Sequence, residues 1–450
     1  MNSTPSPPKL GAATATLLVM GSIIGVGIFF TPAKVAARAT SSGEVLLVWG
    51  LGALAAACGA STFAELGLNR PRAGGWFVYL LDAFGPRVAF LFAWTILGVV
   101  ATASIAVTAD FTATSLTEVW AGVGNEGSAS HLAVAASIPI ALTALAAGGV
   151  KLGALVQNGC MTTKLLALVA LAAAGFAVAL PGTAVVAPEV VQEVRSFHLS
   201  AALLPVLFTY GGWQNLCYVA SEVRDPARTL PRAILLGVLG VAVVYMIVNS
   251  SILVALGVSG LADNPGFASQ VFGARWGEDR EWMLALSMAI SAFGVCLAVI
   301  LLTPWIAVAM SERRIFPAWV GARSARTGAP VTALLLQLVL CLAYLFASRT
   351  PAWLGRDLGL KPSGLVDSVA FAEWFFHGLV AVALIRFRRA PEWKKLPFAW
   401  LAPYVYVGLS VWIVSSNLID AEVAEIRLGL AVLGLGLLAS FWVLRPRPQR

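Results

Sequence analysis

The chain has 450 residues, of which 59% are hydrophobic and only 12% charged, and its formal net charge is +8. This composition excludes an ordinary soluble domain, which could not keep so much apolar surface away from water. The basic residues are spread over short connecting loops instead of forming one patch, so we predict a polytopic membrane protein without a nucleic-acid partner.

Apolar runs close to the length of a bilayer-spanning helix follow one another along the whole chain. The twelve predicted spans are residues 10–37, 45–68, 86–112, 131–149, 153–180, 200–221, 233–257, 282–310, 329–347, 365–386, 398–418 and 427–444. No long polar linker divides them, so we interpret residues 1–450 as one transmembrane domain. Lysine and arginine concentrate in alternate loops, which predicts an integral protein of the cytoplasmic membrane with both termini in the cytoplasm.

The first span contains the stretch GSIIGVGIFFTP at residues 21–32, and its central glycines each weaken a helix by about 1 kcal/mol. The sixth span has a similar interruption, TYGGWQ at 209–214. The sixth span comes five spans after the first. Because five is an odd number, two successive five-helix units would have opposite orientations, and paired interruptions of this kind indicate a transporter binding site. Close packing between helices through small residues is the alternative for the first stretch.

Unwound backbone at these interruptions would suit a zwitterionic ligand. Free N–H groups and a helix N-terminus favour a carboxylate, whereas carbonyl groups without a partner favour an ammonium. Lipid satisfies neither kind of group, so a break at mid-membrane persists only where protein or a polar cavity covers it.

Several polar residues lie inside the apolar spans. Lys164 is ~16 Å into the fifth span, a depth at which lysine costs about 2.5–3.5 kcal/mol, so we expect it to face a cavity or a partner unless it snorkels to the surface. Tyr245 and Asn249 share a helix face, either as an interhelical hydrogen-bonding pair or within a polar network that reaches Lys164. His377 contacts substrate, carries a proton or packs in the core.

The placement of cysteines and histidines, and the absence of certain catalytic motifs, exclude several classes of function. All five cysteines lie within apolar spans, so we predict neither a disulfide framework nor a disulfide-linked partner subunit. The three histidines are scattered, and there is no H-E-x-x-H, Walker A or G-x-S-x-G pattern. We therefore predict no enzymatic activity, no metal and no cofactor.

Four stretches of the chain resemble motifs of the amino acid, polyamine and organocation superfamily, and most closely its L-amino-acid transporter branch of bacterial type. They are GSIIGVGIFFTP at 21–32, AELGLNRPRAGGWFVYLLDAFGP at 64–86, LFTYGGWQNLCYVASEVRDPARTLPRAI at 207–234 and PWIAVAMSERRIFPAW at 304–319. The resemblance implies an all-α leucine-transporter-type fold with 12 transmembrane helices, of which helices 1 and 6 are broken. Residues 10–180 and 200–386 would form the two inverted five-helix repeats, and residues 398–444 two additional helices.

The resemblance also implies a substrate site at the two interruptions. The substrate carboxylate would meet the backbone at Gly25, Val26 and Gly27. Its ammonium would meet carbonyl groups at Ile23, Phe208 and Gly211, and the Phe208 ring would act as an outer gate. The implied substrate-binding set is Ile23, Gly25, Val26, Gly27, Phe208, Thr209, Gly211 and Trp213. Val26 stands where relatives often have a small or hydroxyl residue. The bulkier valine side chain favours substrates with small or medium side chains.

The predicted ion-site or gating set consists of Lys164, Tyr245, Asn249 and His377. In relatives, the lysine that matches Lys164 lies where sodium-coupled members of the superfamily hold a sodium ion. The resemblance therefore implies transport that is independent of sodium.

The predicted function is secondary transport of neutral L-amino acids by alternating access, as exchange or as net flux. The predicted partners are an amino acid substrate and membrane lipid. A proton-coupled carrier of cationic amino acids or polyamines is the rival, and Glu373 is its one evident pocket carboxylate. A membrane amino acid sensor that does not transport is the alternative from another class.

Overall fold

A computed structural model describes residues 10–117, 119–120, 128–178, 196–262, 264, 266–277, 281–347, 362–397, 399–420 and 423–444. The helices are α1 (Ala12–Ile23), α2 (Thr31–Ala36), α3 (Ser42–Asn69), α4 (Trp76–Phe84), α5 (Pro86–Thr95), α6 (Ala101–Thr117), α7 (Ala129–Ala147), α8 (Val150–Val178), α9 (Leu199–Thr209), α10 (Pro226–Ala262), α11 (Phe267–Trp276), α12 (Glu281–Leu302), α13 (Pro304–Glu312), α14 (Val331–Ala347), α15 (Pro362–Phe387), α16 (Ala402–Asp420) and α17 (Val423–Val443). Short 3₁₀ helices cover Val26–Phe29 and Trp213–Glu222, and a π-helical turn at Ile96–Val100 joins α5 to α6.

Many of these helices have the length and composition of membrane spans. Within the described residues, six segments are long and apolar enough to cross a bilayer: Ser42–Asn69, Pro86–Thr117, Ala129–Ala147, Val150–Val178, Pro226–Ala262 and Trp282–Glu312. Shorter apolar helices cover Ala12–Ile23, Val331–Ala347, Ala402–Ser416 and Gly429–Val443. The fold is therefore that of an all-α polytopic membrane protein. The number of twelve crossings and the inverted repeats stay predictions.

The orientation in the membrane also stays a prediction. Residues 1–9 and 445–450, which contain the two termini, lie outside the described residues, as do residues 179–180 at the end of the fifth predicted span.

Two short helices, α4 and α11, were not predicted from the sequence. They have nine and ten residues, too few to span a bilayer, so a search for spans passes over them. α4 follows directly on Gly74 and Gly75, whose φ angles of +91° and +45° favour glycine. This turn brings Trp76, the first residue of α4, into the protein core.

The first helix lies in the interior of the bundle. α1 packs against α10 on one side and against α8 on another, and it also contacts α12. Its residues Leu18, Val19 and Ile23 are buried. The point where α1 ends is therefore enclosed by protein and does not face lipid.

A buried ion pair joins α3 to the loop that follows α15. Glu65 is 0% exposed and accepts hydrogen bonds from Arg388 at 2.7 Å (Nε) and 2.8 Å (Nη2). The indole N–H of Trp393 and the backbone N–H of Leu396 also donate to its carboxylate, each at 3.0 Å. We call these four residues the Glu65 cluster. Because its carboxylate is well satisfied, the cluster fixes this loop against the end of α3.

Candidate substrate site

The first break lies directly after α1. The helix ends at Ile23, Ile24 and Gly25 have extended backbone, and the chain continues as a 3₁₀ helix from Val26. Within the described part of the chain, the backbone N–H groups of Gly25, Val26 and Gly27 have no hydrogen-bond acceptor. Three adjacent N–H donors at the start of a helical turn are a suitable arrangement for an anion.

The second break follows α9 and touches the first. α9 ends at Thr209, and the chain turns at Gly212, whose φ of +115° favours glycine. A Cβ atom at Gly212 would lie 2.3 Å from the carbonyl oxygen of Ser22. The two breaks can meet in this way only because residue 212 has no side chain.

Two threonine hydroxyl groups join the segments that contain the two breaks. Thr31 and Thr209 are linked through their Oγ1 atoms at 2.8 Å, and Thr209 also donates to the carbonyl of Pro205 at 2.8 Å. A Cβ atom at Gly27 would lie 2.9 Å from the Thr209 Oγ1. The Thr209 hydroxyl thus has partners within the protein, although the residue belongs to the cavity wall.

A cavity of about 520 Å³ lies beside both breaks. Most of the predicted substrate-binding residues line it, namely Ile23, Gly25, Val26, Gly27, Phe208, Thr209 and Gly211. The opposite walls come from α6, with Ser104 and Thr108, and from α12, with Val295. Phe208 is 42% exposed, which is unusual for an aromatic residue in the middle of the chain's apolar spans, and this exposure fits a position over an open cavity.

Trp213, which was also predicted to bind substrate, lies behind this cavity. It is 3% exposed and lines a second, much smaller cavity of about 20 Å³. Its ring packs against Phe63, His377 and Tyr406. Trp213 therefore supports the segment after the second break and does not line the larger cavity.

Lys164 is buried against the end of α1, with 2% of its surface exposed. Its ammonium donates to the carbonyl of Ile24 at 2.7 Å and to that of Gly21 at 3.2 Å. Both carbonyls lose their helical partners because α1 stops at Ile23. The lysine therefore supplies donors that the broken helix lacks, and it does not line the cavity.

Tyr245 binds the same helix end from the side of α10. It is fully buried, and its hydroxyl lies 3.4 Å from the carbonyl oxygens of Ile23 and Thr209, one in each broken helix. The Asn249 amide donates to the Tyr245 carbonyl at 2.8 Å, as an ordinary contact within α10. Among the described residues, Tyr245 and Lys164 bind adjacent carbonyls, those of Ile23 and Ile24, and no hydrogen bond joins the two side chains directly.

His377 both lines the cavity and packs among aromatic rings. Its ring centre lies 4.4 Å from that of Trp76 and 5.0 Å from that of Trp374. Its Nδ1 atom lies 2.7 Å from the Tyr406 hydroxyl. These contacts give the histidine a hydrogen-bond partner and a fixed ring orientation.

Two further residues of the cavity wall, Glu373 and Gln214, were absent from the predicted substrate-binding set. Glu373 is half-buried on α15, and Gln214 is buried directly after the second break, where its Oε1 accepts the backbone N–H of Gly212 at 3.0 Å. A carboxylate within an apolar span is an available sequence signal. This signal in the sequence does not indicate which side of α15 faces the cavity.

The sequence of the whole chain matches a known family. Residues 10–439 match the amino acid permease family. The chain belongs to this family. It is consequently an amino acid transporter of the amino acid, polyamine and organocation superfamily and not an enzyme, as predicted.

Curated relatives show distant similarity to this permease over nearly its full length. The b(0,+)-type amino acid transporter 1 of Mus musculus is 26% identical over 436 residues, which cover 94% of this chain and 85% of the relative. The Asc-type amino acid transporter 1 of the same organism is 26% identical, covering 98% and 82%. The large neutral amino acids transporter small subunit 2 of Mus musculus is 27% identical, also covering 98% and 82%.

Proposed function

We propose that this permease belongs to the L-amino-acid transporter branch and carries neutral L-amino acids by alternating access. The observation that carries the proposal is the pair of backbone breaks beside one cavity. The free N–H groups of Gly25, Val26 and Gly27 would bind the substrate carboxylate, and the carbonyl groups at the ends of α1 and α9 would bind its ammonium. Every amino acid has both groups, so this part of the site recognises the class.

Independence from sodium is a further part of the proposal. The Lys164 ammonium already contacts the carbonyls of Gly21 and Ile24, to which a cation would otherwise bind. Because the lysine is covalently attached, no ion gradient can drive its movement across the membrane. Transport would then proceed by exchange or by net flux of the amino acid itself.

Uptake of labelled alanine into proteoliposomes tests this function. We expect unlabelled alanine, serine, leucine and methionine to compete for uptake, and putrescine not to compete because it has no carboxylate. Binding of these amino acids without any flux would support a sensor instead of a transporter. Competition by putrescine or arginine with none from the neutral amino acids would contradict the proposed substrate class.

A second test targets the second break. A Cβ atom at Gly211 would contact only the Phe208 carbonyl oxygen, at 3.2 Å, so a larger side chain there would project into the cavity. We expect Gly211→Leu to abolish alanine binding and uptake while the protein still elutes as a folded species. Gly50→Leu is the matched control, because a Cβ atom at Gly50 has no neighbour within 4 Å. Normal affinity in Gly211→Leu would place the site elsewhere.

Proton-coupled transport of cationic amino acids or polyamines is a second candidate. The observation that favours it is the half-buried carboxylate of Glu373 in the cavity wall. Polyamines would need this carboxylate and would not need the N–H groups of the first break. Putrescine competition together with acidification-driven uptake would favour this candidate.

A further inference from the structure

Small residues on α3 leave room for aromatic rings at two points of that helix. A Cβ atom at Gly52 would lie 3.2 Å from the Tyr210 ring, and one at Gly59 would lie 2.7 Å from the Tyr406 ring. The two glycines are two turns apart, so they lie on nearly the same face, ~10 Å from each other along the helix axis. The two tyrosines therefore contact one surface of α3 with a short gap between them.

The smaller cavity, which Trp213 lines, lies in this gap. Ala55 and Ala56 of α3 line it as well, together with Tyr210 and Tyr406. Its volume of about 20 Å³ exceeds the ~10–15 Å³ that one water needs, and is far below the 520 Å³ of the substrate cavity. Its size therefore admits one water and excludes an amino acid.

Tyr210 brings a polar side chain to this cavity. The residue is 1% exposed, and its hydroxyl has no hydrogen-bond partner within the described part of the protein. A buried hydroxyl without a partner destabilises a folded protein, because it loses the hydrogen bonds that it makes to water when exposed. This hydroxyl therefore calls for a partner in the cavity.

Tyr406 supplies a second hydroxyl to the same cavity. It is 1% exposed, and its hydroxyl oxygen lies 2.7 Å from the Nδ1 atom of His377, which also lines the cavity. A phenol hydroxyl can donate one hydrogen bond and accept others. The contact with His377 thus leaves the Tyr406 hydroxyl able to form a further hydrogen bond.

We propose that the smaller cavity binds one structural water, which hydrogen bonds to the hydroxyl groups of both Tyr210 and Tyr406. Two to four polar partners are typical of a buried water. Tyr210 directly precedes Gly211, and Tyr406 belongs to α16, so the water connects the second break to a helix behind it. Gly211 and His377 line both cavities. The water therefore positions the wall of the substrate site from its far side, a consequence that rests on the proposed function.

Replacement of Tyr210 by phenylalanine distinguishes a bound water from an unpaired hydroxyl by the sign of the change in stability. Removal of a hydroxyl that binds a water is expected to lower the apparent melting temperature of the detergent-solubilised protein by about 1–2 °C. Removal of an unpaired hydroxyl would instead raise it. Tyr404→Phe is the matched control, because Tyr404 is 53% exposed on the same helix as Tyr406 and should leave the melting temperature unchanged. A rise, or no change, in Tyr210→Phe overturns the water site.

Radiolytic labelling detects the water directly. Brief X-ray irradiation forms hydroxyl radicals from bound water, and these radicals oxidise the side chains next to it. Trp213 and Trp49 are both buried, at 3% and 0% exposed, but only Trp213 lines the smaller cavity. We expect Trp213 to be oxidised at least fivefold faster than Trp49 in the native protein, and this ratio to fall in Tyr210→Phe. Equal rates for the two tryptophans in the native protein would overturn the proposal.

Alanine binding tests the positioning role separately. We expect Tyr210→Phe to bind alanine about threefold more weakly than the native protein, because the segment before Gly211 loses its link to α16. Native affinity in this variant would refute the positioning role. If the native protein itself binds no amino acid, the proposed function fails, whereas the melting temperatures and the labelling still decide whether the water site exists.

Discussion

Replacement of Lys164 by methionine is expected to lower the rate of alanine transport at least tenfold. Methionine keeps most of the apolar bulk of the side chain but removes the donors to the carbonyls of Gly21 and Ile24. A buried carbonyl without a partner costs about 1–3 kcal/mol, and each 1.4 kcal/mol lost from the transition state slows a process about tenfold. The loss acts directly on the end of α1, beside the N–H groups proposed to bind the substrate carboxylate.

The measurement is uptake into proteoliposomes with sodium or with choline as the external cation. We expect the native protein to transport alanine equally in both. Lys151→Met is the matched control, because Lys151 lies on the same helix but is exposed. Strict sodium dependence of the native protein would contradict the proposed role of Lys164, and so would a native rate in Lys164→Met.

The sequence predicted the two interruptions and the unusual lysine because each is a local signal. Glycines at the centre of an apolar span weaken a helix wherever the helix packs, and an ammonium at mid-membrane requires partners in any fold. The structure ends α1 at Ile23 and α9 at Thr209, both within the quoted stretches. The roles of these residues in binding stay predictions.

Contacts between distant segments were not predictable in the same way. Trp213 is adjacent to the second break in sequence, but the turn at Gly212 directs it into the aromatic cluster around His377. Gly212 also meets the carbonyl of Ser22, nearly two hundred positions earlier, where a Cβ atom would not fit. Local composition contains no information on such contacts between distant segments, because they arise from tertiary packing.

The position of Glu373, which bears on substrate choice, was also not predictable from local sequence. In the sequence, Glu373 was the one evident pocket carboxylate for the rival carrier of cationic substrates. In the structure Glu373 lines the same cavity as Gln214, a residue from a different span. The sequence contained the carboxylate, but its position relative to the breaks depended on how α15 packs.

Replacement of Glu65 by glutamine is expected to produce a large loss of stability. The change would leave the Arg388 guanidinium buried without its counter-charge, since the arginine side chain is only 10% exposed. Breaking a buried ion pair by removing one partner costs about 3–5 kcal/mol. The effect should be a marked fall in the apparent melting temperature of the detergent-solubilised protein, followed by the fluorescence of a thiol-reactive or intrinsic probe.

An exposed ion pair provides the control. Arg228 and Asp225 lie 3.7 Å apart with side chains 78% and 56% exposed, and such surface pairs contribute about 0–1 kcal/mol. Arg228→Ala should therefore leave the melting temperature nearly unchanged.

A double substitution separates the ion pair from simple packing. Glu65→Met combined with Arg388→Met removes both charges and keeps apolar volume, and replacements of this kind are often neutral or stabilising in buried sites. We expect the double variant to be more stable than Glu65→Gln, although Trp393 and Leu396 would lose the acceptor that both now share. If the losses of the single variants Glu65→Met and Arg388→Met simply add in the double variant, the charges do not interact, and the Glu65 cluster is held by packing. A strong positive coupling would instead show that the ion pair itself fixes the loop after α15 to α3, in addition to the two hydrogen bonds between the Asn69 side chain and the Lys394 backbone.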